Sequence, residues 1–149
     1  MRLILMFAFV MSMTAGITLP IGAIAAEVPG AAKALNDFRA TKGRKALRHS
    51  DGLQKVAEGH ANDMSRKGFF SHSGSDGSDI GDRARRAGYR YCFIAENIAK
   101  GQRDLNEVMN SWITSPGHNK NMAHKKAREF GLARTKGDVW VMVLGRDGC

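Results

Sequence analysis

Residues 89–98 have the sequence YRYCFIAENI, and this stretch decides the fold because its aromatic and β-branched residues are typical of a β-strand. Two more strands are predicted late in the chain, near residues 129–134 and 139–144, joined by a turn at residues 136–138 (KGD). The segments before and between these strands have helical apolar spacing. Few strands among several helices indicate an α+β fold in which helices pack on a small sheet.

Helices are predicted on both sides of the first strand: residues 31–42, 51–68 and 79–87, and two further helices that begin after residues 104 and 115. Asp104 is followed three residues later by Glu107, as in a capping box. Ser115 is predicted to be the N-cap of the last helix, and Pro116 its first residue. Helices therefore come first and in the middle of the chain and strands are few and late, with no linker or internal repeat.

Glu96 is the chemically informative residue of the first strand. Its neighbours Phe93, Ile94, Ala95 and Ile98 are apolar, so we expect its carboxylate to be partly buried and to need a partner. A buried acid of this kind is either a member of a structural ion pair or a functional group. As a functional group, Glu96 is a candidate general base.

Two histidines lie in short polar clusters that flank this strand. His72 follows a helix, and it is either a ligand or base at a cavity mouth or a residue bonded to local hydroxyls and carbonyls. His118 follows Ser115-Pro116-Gly117, where the helix dipole favours a neutral ring that can bind a metal or accept a proton. Alternatively, this sequence is only a helix start. The three clusters predict one cleft containing His72, Glu96 and His118.

Motifs of several enzyme classes are absent from the sequence. Ser75 has a serine where the first glycine of a nucleophile elbow belongs, and no two histidines have zincin spacing. Residues 76–82 are too irregular for a calcium loop. We interpret His60, inside a predicted helix, as structural, and His49 and His124 as surface residues. Spacing alone leaves enzyme activity open and does not favour it.

The amino-terminal segment has the pattern of a signal peptide. Arg2 precedes an apolar run at residues 3–13, and residues 23–25 (AIA) fit a cleavage site. The run is shorter than the roughly 20 residues of a membrane span. We therefore predict a signal peptide at residues 1–25, a single domain at 26–149, no anchor after cleavage, and a secreted or periplasmic location.

The formal net charge of +9 restricts the expected partners. An exported protein meets little nucleic acid, and no basic stretch is interleaved with aromatic residues for base stacking. Anionic envelope polymers or lipids are the expected electrostatic partners, unless the charge only solvates the surface. The basic residues occur in groups: residues 44–48, 83–90 and 120–128.

Cys92 and Cys149 are the two cysteines of the chain. In an oxidising compartment two thiols of one small domain are expected to pair, and closing this long loop would stabilise the fold by about 4 kcal/mol. Alternatively, Cys149 is free for an intermolecular bond. Two cysteines alone do not make a structural zinc site.

These motifs, in this order, resemble the CAP superfamily, or SCP domain, which includes cysteine-rich secretory proteins, antigen 5 and pathogenesis-related proteins. The bacterial secreted branch is the most similar. The resemblance covers residues 35–144. It rests on these residues: Leu35-Asn36 with Arg39, residues 69–72 (FFSH) with Asp76-Gly77, Arg83 to Tyr89, residues 96–99 (ENIA), Trp112 with residues 115–118 (SPGH) and Asn121, residues 130–132 (FGL), and Trp140.

The resemblance implies an α-β-α sandwich with a small central antiparallel sheet, and a cleft lined by two histidines and one or two acids. His72, Glu96 and His118 match the family's positions. Animal and plant members usually have a second glutamate three residues after the helix tryptophan, where this chain has Ser115. Some members bind zinc or another divalent cation, so His72 and His118 are candidate ligands of an exchangeable site.

Three functions are expected. The first is an exported binding module whose cleft takes a small or lipidic ligand or a divalent cation. The second is a metal-assisted or acid–base hydrolase of envelope material or peptides, with Glu96 as base. The third is an envelope-surface protein that acts through its positive charge. The missing catalytic motif and the missing second glutamate favour the first.

Overall fold

The computed structural model describes residues 26–149, so the predicted signal peptide lies outside the described residues. The elements in chain order are β1 (Ala26–Glu27), α1 (Ala31–Thr41), β2 (Arg48–His49), α2 (Asp51–Lys67), α3 (Ile80–Arg86), β3 (Tyr91–Lys100), α4 (Leu105–Thr114), α5 (Pro116–Met122), β4 (Glu129–Thr135) and β5 (Val139–Asp147). Between residues 26 and 149, no helix is both long enough and apolar enough to cross a membrane.

The strands form one sheet in the order β1-β4-β5-β3, so β3 lies at its edge. β5 runs antiparallel to both β3 and β4, which confirms the predicted strands and the antiparallel sheet. The short β2 also joins the sheet, and it runs parallel to β4. β1 and β2 were not predicted, because two residues are too few to show an alternating pattern.

Helices cover both faces of the sheet. Residues 140, 142 and 144 of β5 pack in an apolar layer with α1, α4 and α5, and residues 139, 141 and 143 pack with α2 and α3. This period of two is that of a strand buried on both faces. α2 approaches β4 closely at Gly131, where a Cβ atom would overlap the backbone of Leu53 and Gln54. The α-β-α sandwich is confirmed.

The helix starts agree with the sequence except in two details. The Asp104 carboxylate accepts a hydrogen bond from the Glu107 backbone N–H at 2.9 Å. The Glu107 carboxylate, however, accepts from the Arg103 backbone N–H instead of completing a capping box. Ser115 occupies the N-cap position of α5, but its hydroxyl makes no capping hydrogen bond. The helix start therefore depends on Pro116 and on packing more than on the Ser115 side chain.

A disulfide joins Cys92 and Cys149, whose Cα atoms lie 5.4 Å apart. This confirms the predicted pair. The register between β3 and β5 shifts between Tyr91 and Phe93, so Cys92 lies at a bulge, where a strand locally leaves the ladder. The disulfide fastens the beginning of the strand that carries Glu96 to the segment after β5.

Candidate functional site

Glu96 is buried under the edge of the sheet, with both carboxylate oxygens in use. Its side chain is 3% exposed. His72 Nδ1 lies 2.8 Å from Oε1, and Arg83 Nη2 lies 2.8 Å from Oε2. The partner expected for the buried Glu96 carboxylate is therefore a pair of groups, one imidazole and one guanidinium.

The Glu96 carboxylate determines the state of the His72 ring. An ionised carboxylate only accepts hydrogen bonds, so His72 Nδ1 carries a proton and donates a hydrogen bond to Glu96 Oε1. In the neutral ring, Nε2 then has a free lone pair. The His72 side chain is 60% exposed, so solvent or a ligand can reach this ring. A histidine oriented by a carboxylate in this way is the usual arrangement of a metal-ligating or proton-accepting imidazole.

His118 reaches the same region from the other layer of the sandwich. Glu96 is on β3, and the next residue, Asn97, donates from Nδ2 to the His118 carbonyl at 3.2 Å. Asn121 donates from Nδ2 to Asn97 Oδ1 at 3.0 Å and is 3.3 Å from the Glu96 carbonyl. These two amides fasten α5 to the edge strand. Because β3 is the edge strand, groups from both layers can meet across it.

The surroundings of the His118 ring favour its neutral form. Burial lowers the pKa of His118 from the usual value, and repulsion from the nearby His72, when that ring is protonated, lowers it further. The sequence analysis expected a neutral ring from the helix dipole, whereas burial is the leading cause here. His118 Nδ1 is buried and has no hydrogen-bond partner among the described residues. His118 therefore supplies a second imidazole near His72, half-buried and with a lowered pKa.

Two residues of this region were missed by sequence reasoning. Arg83 also donates to the His72 carbonyl at 3.0 Å and to the Ser78 carbonyl at 2.8 Å, so it holds the His72 segment as well as Glu96. In the sequence Arg83 appeared only within a basic group and within the Arg83 to Tyr89 segment of the family resemblance, and neither signal indicated a bond to Glu96. The His60 ring is fully buried, with Nε2 3.9 Å from Glu96 Oε1 and 2.9 Å from the Ser71 carbonyl.

The interpretation of three other histidines needs refinement. His60 has the structural contacts expected of it, but it also borders the Glu96 carboxylate, and burial lowers its pKa. His124 is not a simple surface residue, because its ring stacks on Phe93 with centroids 4.1 Å apart. His49 is half-buried, with its ring edge against Phe130. Aromatic contacts between distant segments leave no trace in local spacing.

The donors near Glu96 are too few for a closed metal site and could hold a metal only in an open one. His72 Nε2 and the His118 ring can supply two nitrogens, whereas both Glu96 oxygens are already occupied by Arg83 and His72. In residues 26–149 no three His, Cys, Asp or Glu side chains are grouped to hold a metal. The fourth family position is Ser115, which has no carboxylate. Zinc bound here would need water or a ligand for its remaining positions.

A sequence model of the cysteine-rich secretory protein family, CAP, matches residues 32–144. The uncharacterized protein YkwD of Bacillus subtilis is 32% identical over 106 residues, which are 70% of this chain and 41% of the relative. The uncharacterized membrane protein YlbC of the same organism is 27% identical over 97 residues, 65% of this chain and 28% of the relative. The chain thus matches less than half the length of either relative.

Solved structures share the fold. An extracellular protein containing a SCP domain from Bacillus anthracis has a TM-score of 0.76 and 24% identity, over 80% of this chain and 40% of that chain. An outer surface protein of Borrelia burgdorferi also has a TM-score of 0.76, with 21% identity, over 85% of this chain and 100% of that chain. The resemblance noted in the sequence is therefore confirmed by the family match and by the fold. This chain belongs to the CAP, or cysteine-rich secretory protein, family.

Proposed function

We propose that this protein is an exported binding module whose His72–Glu96–His118 cleft takes a divalent cation or a small or lipidic ligand. The observation that carries the proposal is the double engagement of Glu96, whose oxygens bond Arg83 and His72. This carboxylate orients the His72 ring and leaves Nε2 available, while His118 supplies a second, neutral imidazole.

An apolar side chain close to His72 in the chain supports the ligand part of the proposal. Phe70, two residues before His72, is 47% exposed, which is unusual for a large apolar residue within residues 26–149. An exposed apolar side chain two residues from the His72 imidazole suits a ligand with a polar head and an apolar portion. Export is supported by the predicted signal peptide and by the disulfide, which persists in oxidising compartments.

Zinc titration with calorimetry and native mass spectrometry tests the cation part. Wild-type protein is expected to bind one zinc, and the His72→Ala/His118→Ala double variant to lose it. His49→Ala removes a half-buried histidine outside the cleft and serves as the matched control. Zinc binding that is unchanged in the double variant removes the cation from the proposal.

The alternative hydrolase needs Glu96 as a free base, and the Arg83 ion pair opposes this role because a proton on Glu96 would break that pair. An activity screen on peptidoglycan, lipids and peptides distinguishes the two functions. The binding module predicts no turnover of these substrates. Turnover that is lost in Glu96→Gln would establish the hydrolase instead.

A further inference from the structure

Two basic segments that are far apart in the sequence meet on the surface beside α1 and α5. Arg44, just after α1, donates from Nε to the Ala123 carbonyl at 2.9 Å, across 79 residues. Together the two segments enclose a cavity of about 160 Å³. Its lining comprises Arg39, Gly43, Arg44, Lys45, Lys125 and Arg128. We call this cavity the basic pocket.

The basic pocket has a strong excess of positive charge. Five of its six lining residues are cationic and none is acidic. None of these five forms an ion pair with a carboxylate in the described part of the chain, whereas Arg83, Arg85, Arg86 and Arg103 each do. The positive charge at the basic pocket is therefore uncompensated.

A buried arginine forms the base of this pocket. Arg39 is 1% exposed. Its Nε donates to the Lys45 carbonyl at 2.8 Å, and its Nη1 donates to the carbonyls of Met122 and His124. These bonds hold the basic segments against each other. Burial lowers the pKa of Arg39, and the charges of Arg44 and Arg128 lower it further, so these cations repel one another.

We propose that the basic pocket binds a phosphate group of a phosphodiester polymer. Arginine and lysine side chains around a concave site match the tetrahedral, multiply accepting shape of a phosphate. Lys120 and Lys126 lie before and after Lys125 in the sequence. In this proposal they contact neighbouring phosphates of the same polymer. This inference is independent of the His72–Glu96–His118 cleft and does not rest on the proposed function.

A polymer fits better than a membrane surface. All six lining residues are glycine, lysine or arginine, so the pocket offers no apolar side chain for insertion into lipid. The exposed Phe70 belongs to the segment that carries His72 and does not line the pocket. A concave site with flanking lysines suits successive phosphates along one flexible chain.

The test measures binding of a fluorescent synthetic poly(glycerol phosphate) by anisotropy. The triple variant Lys45→Gln/Lys125→Gln/Lys126→Gln removes three exposed side chains whose amino groups make no hydrogen bonds within residues 26–149. The triple variant Lys55→Gln/Lys67→Gln/Lys100→Gln removes the same charge elsewhere and is the matched control. Thermal unfolding of both variants verifies that they remain folded.

We expect the pocket variant to bind at least about tenfold more weakly and the control less than about threefold, since a lysine strengthens binding substantially only where it lies close to the anionic chain. Wild-type affinity should fall with a logarithmic salt slope of about 3 if four or five phosphates are neutralised. Equal losses of affinity in the pocket variant and the control variant would overturn the proposal that the basic pocket is the binding site. Binding to phosphatidylglycerol vesicles without binding to the polymer overturns the choice of ligand.

Discussion

Glu96 and Glu129 are two buried glutamates on strands of the same sheet, and each is held by an arginine. Glu129 bonds Arg48 at 2.6 Å and also accepts a hydrogen bond from the Tyr89 hydroxyl. Glu96 bonds Arg83 at 2.8 Å and His72 at 2.8 Å. The two carboxylates therefore have similar burial, and each bonds one arginine and one further side chain.

The second partner separates the two glutamates. Tyr89 is buried, and its pKa is raised by burial and by Glu129, so this pair is closed to solvent. His72 is 60% exposed and carries a free ring nitrogen to the surface. A buried carboxylate is therefore not sufficient evidence of a functional site. The informative feature is an exposed, titratable partner that the carboxylate orients.

The largest expected difference concerns the two arginines. Arg83→Met leaves the buried Glu96 carboxylate with His72 as its remaining hydrogen-bond partner. The free energy of unfolding should fall by about 3–5 kcal/mol. Arg48 is 76% exposed, so Arg48→Met should cost only about 0–1 kcal/mol. Urea denaturation of both variants measures the difference. Equal losses would mean that the two ion pairs have the same environment.

Removing the disulfide should destabilise the protein without affecting the cleft chemistry. Cys92→Ser/Cys149→Ser is expected to lower the free energy of unfolding by about 2–4 kcal/mol, because the closed loop restricts the unfolded chain. The disulfide fastens the start of β3, whereas Glu96 is held by Arg83 and His72. Zinc affinity, measured under conditions where the variant is folded, should therefore be unchanged. A parallel loss of zinc binding would show that the disulfide positions the site.

Isosteric changes at the two glutamates should affect zinc binding differently. Glu96→Gln removes the charge and leaves one acceptor oxygen for both Arg83 and His72, so it should loosen the orientation of His72 and weaken zinc binding by about 10–100-fold, as is usual for the partner of a ligating histidine. Glu129→Gln should leave zinc binding unchanged. Calorimetry on the two variants decides this point. Equal weakening of zinc binding by Glu96→Gln and Glu129→Gln would contradict the role of Glu96 in orienting His72.

The smallest effect concerns pH. Burial lowers the pKa of His60 in the folded state, so the neutral ring stabilises the fold above the unfolded value of about 6.5. This stability is lost as the pH falls from about 6.5 through the pKa of His60 in the folded state. The loss is about 1.4 kcal/mol for each pH unit between the unfolded and folded pKa values of His60. His60→Gln should lose less stability than wild type on acidification, measured by urea denaturation at several pH values. His49→Gln is the control and should follow the wild type.

Much of the fold was predictable because its signals are local. The strands containing residues 89–98, 129–134 and 139–144 have strand composition, and capping residues such as Ser50 and Asp79 mark helix starts. His72, Glu96 and His118 stood out because each polar group lies beside a turn, a strand or a helix start. These are properties of a few consecutive residues.

Long-range partners were not predictable. The Arg83–Glu96 pair joins a helix to an edge strand, and nothing in the residues between them indicates it. The basic pocket forms because Arg44 meets the segment near Ala123, about which local spacing contains no information. Ser115 was expected to cap α5 through its side chain, but its hydroxyl makes no such bond. Contacts of this kind depend on packing of whole layers.

The central claim is that Glu96 orients His72 so that its Nε2, together with His118, can bind a cation. Two-dimensional ¹⁵N NMR of the histidine rings during a zinc titration tests it most directly. The account predicts a proton on His72 Nδ1 in the free protein, zinc-dependent shifts of His72 Nε2 and a His118 ring nitrogen, and loss of the fixed tautomer in Glu96→Gln. A proton on His72 Nε2, or zinc shifts confined to histidines outside the cleft, would contradict it.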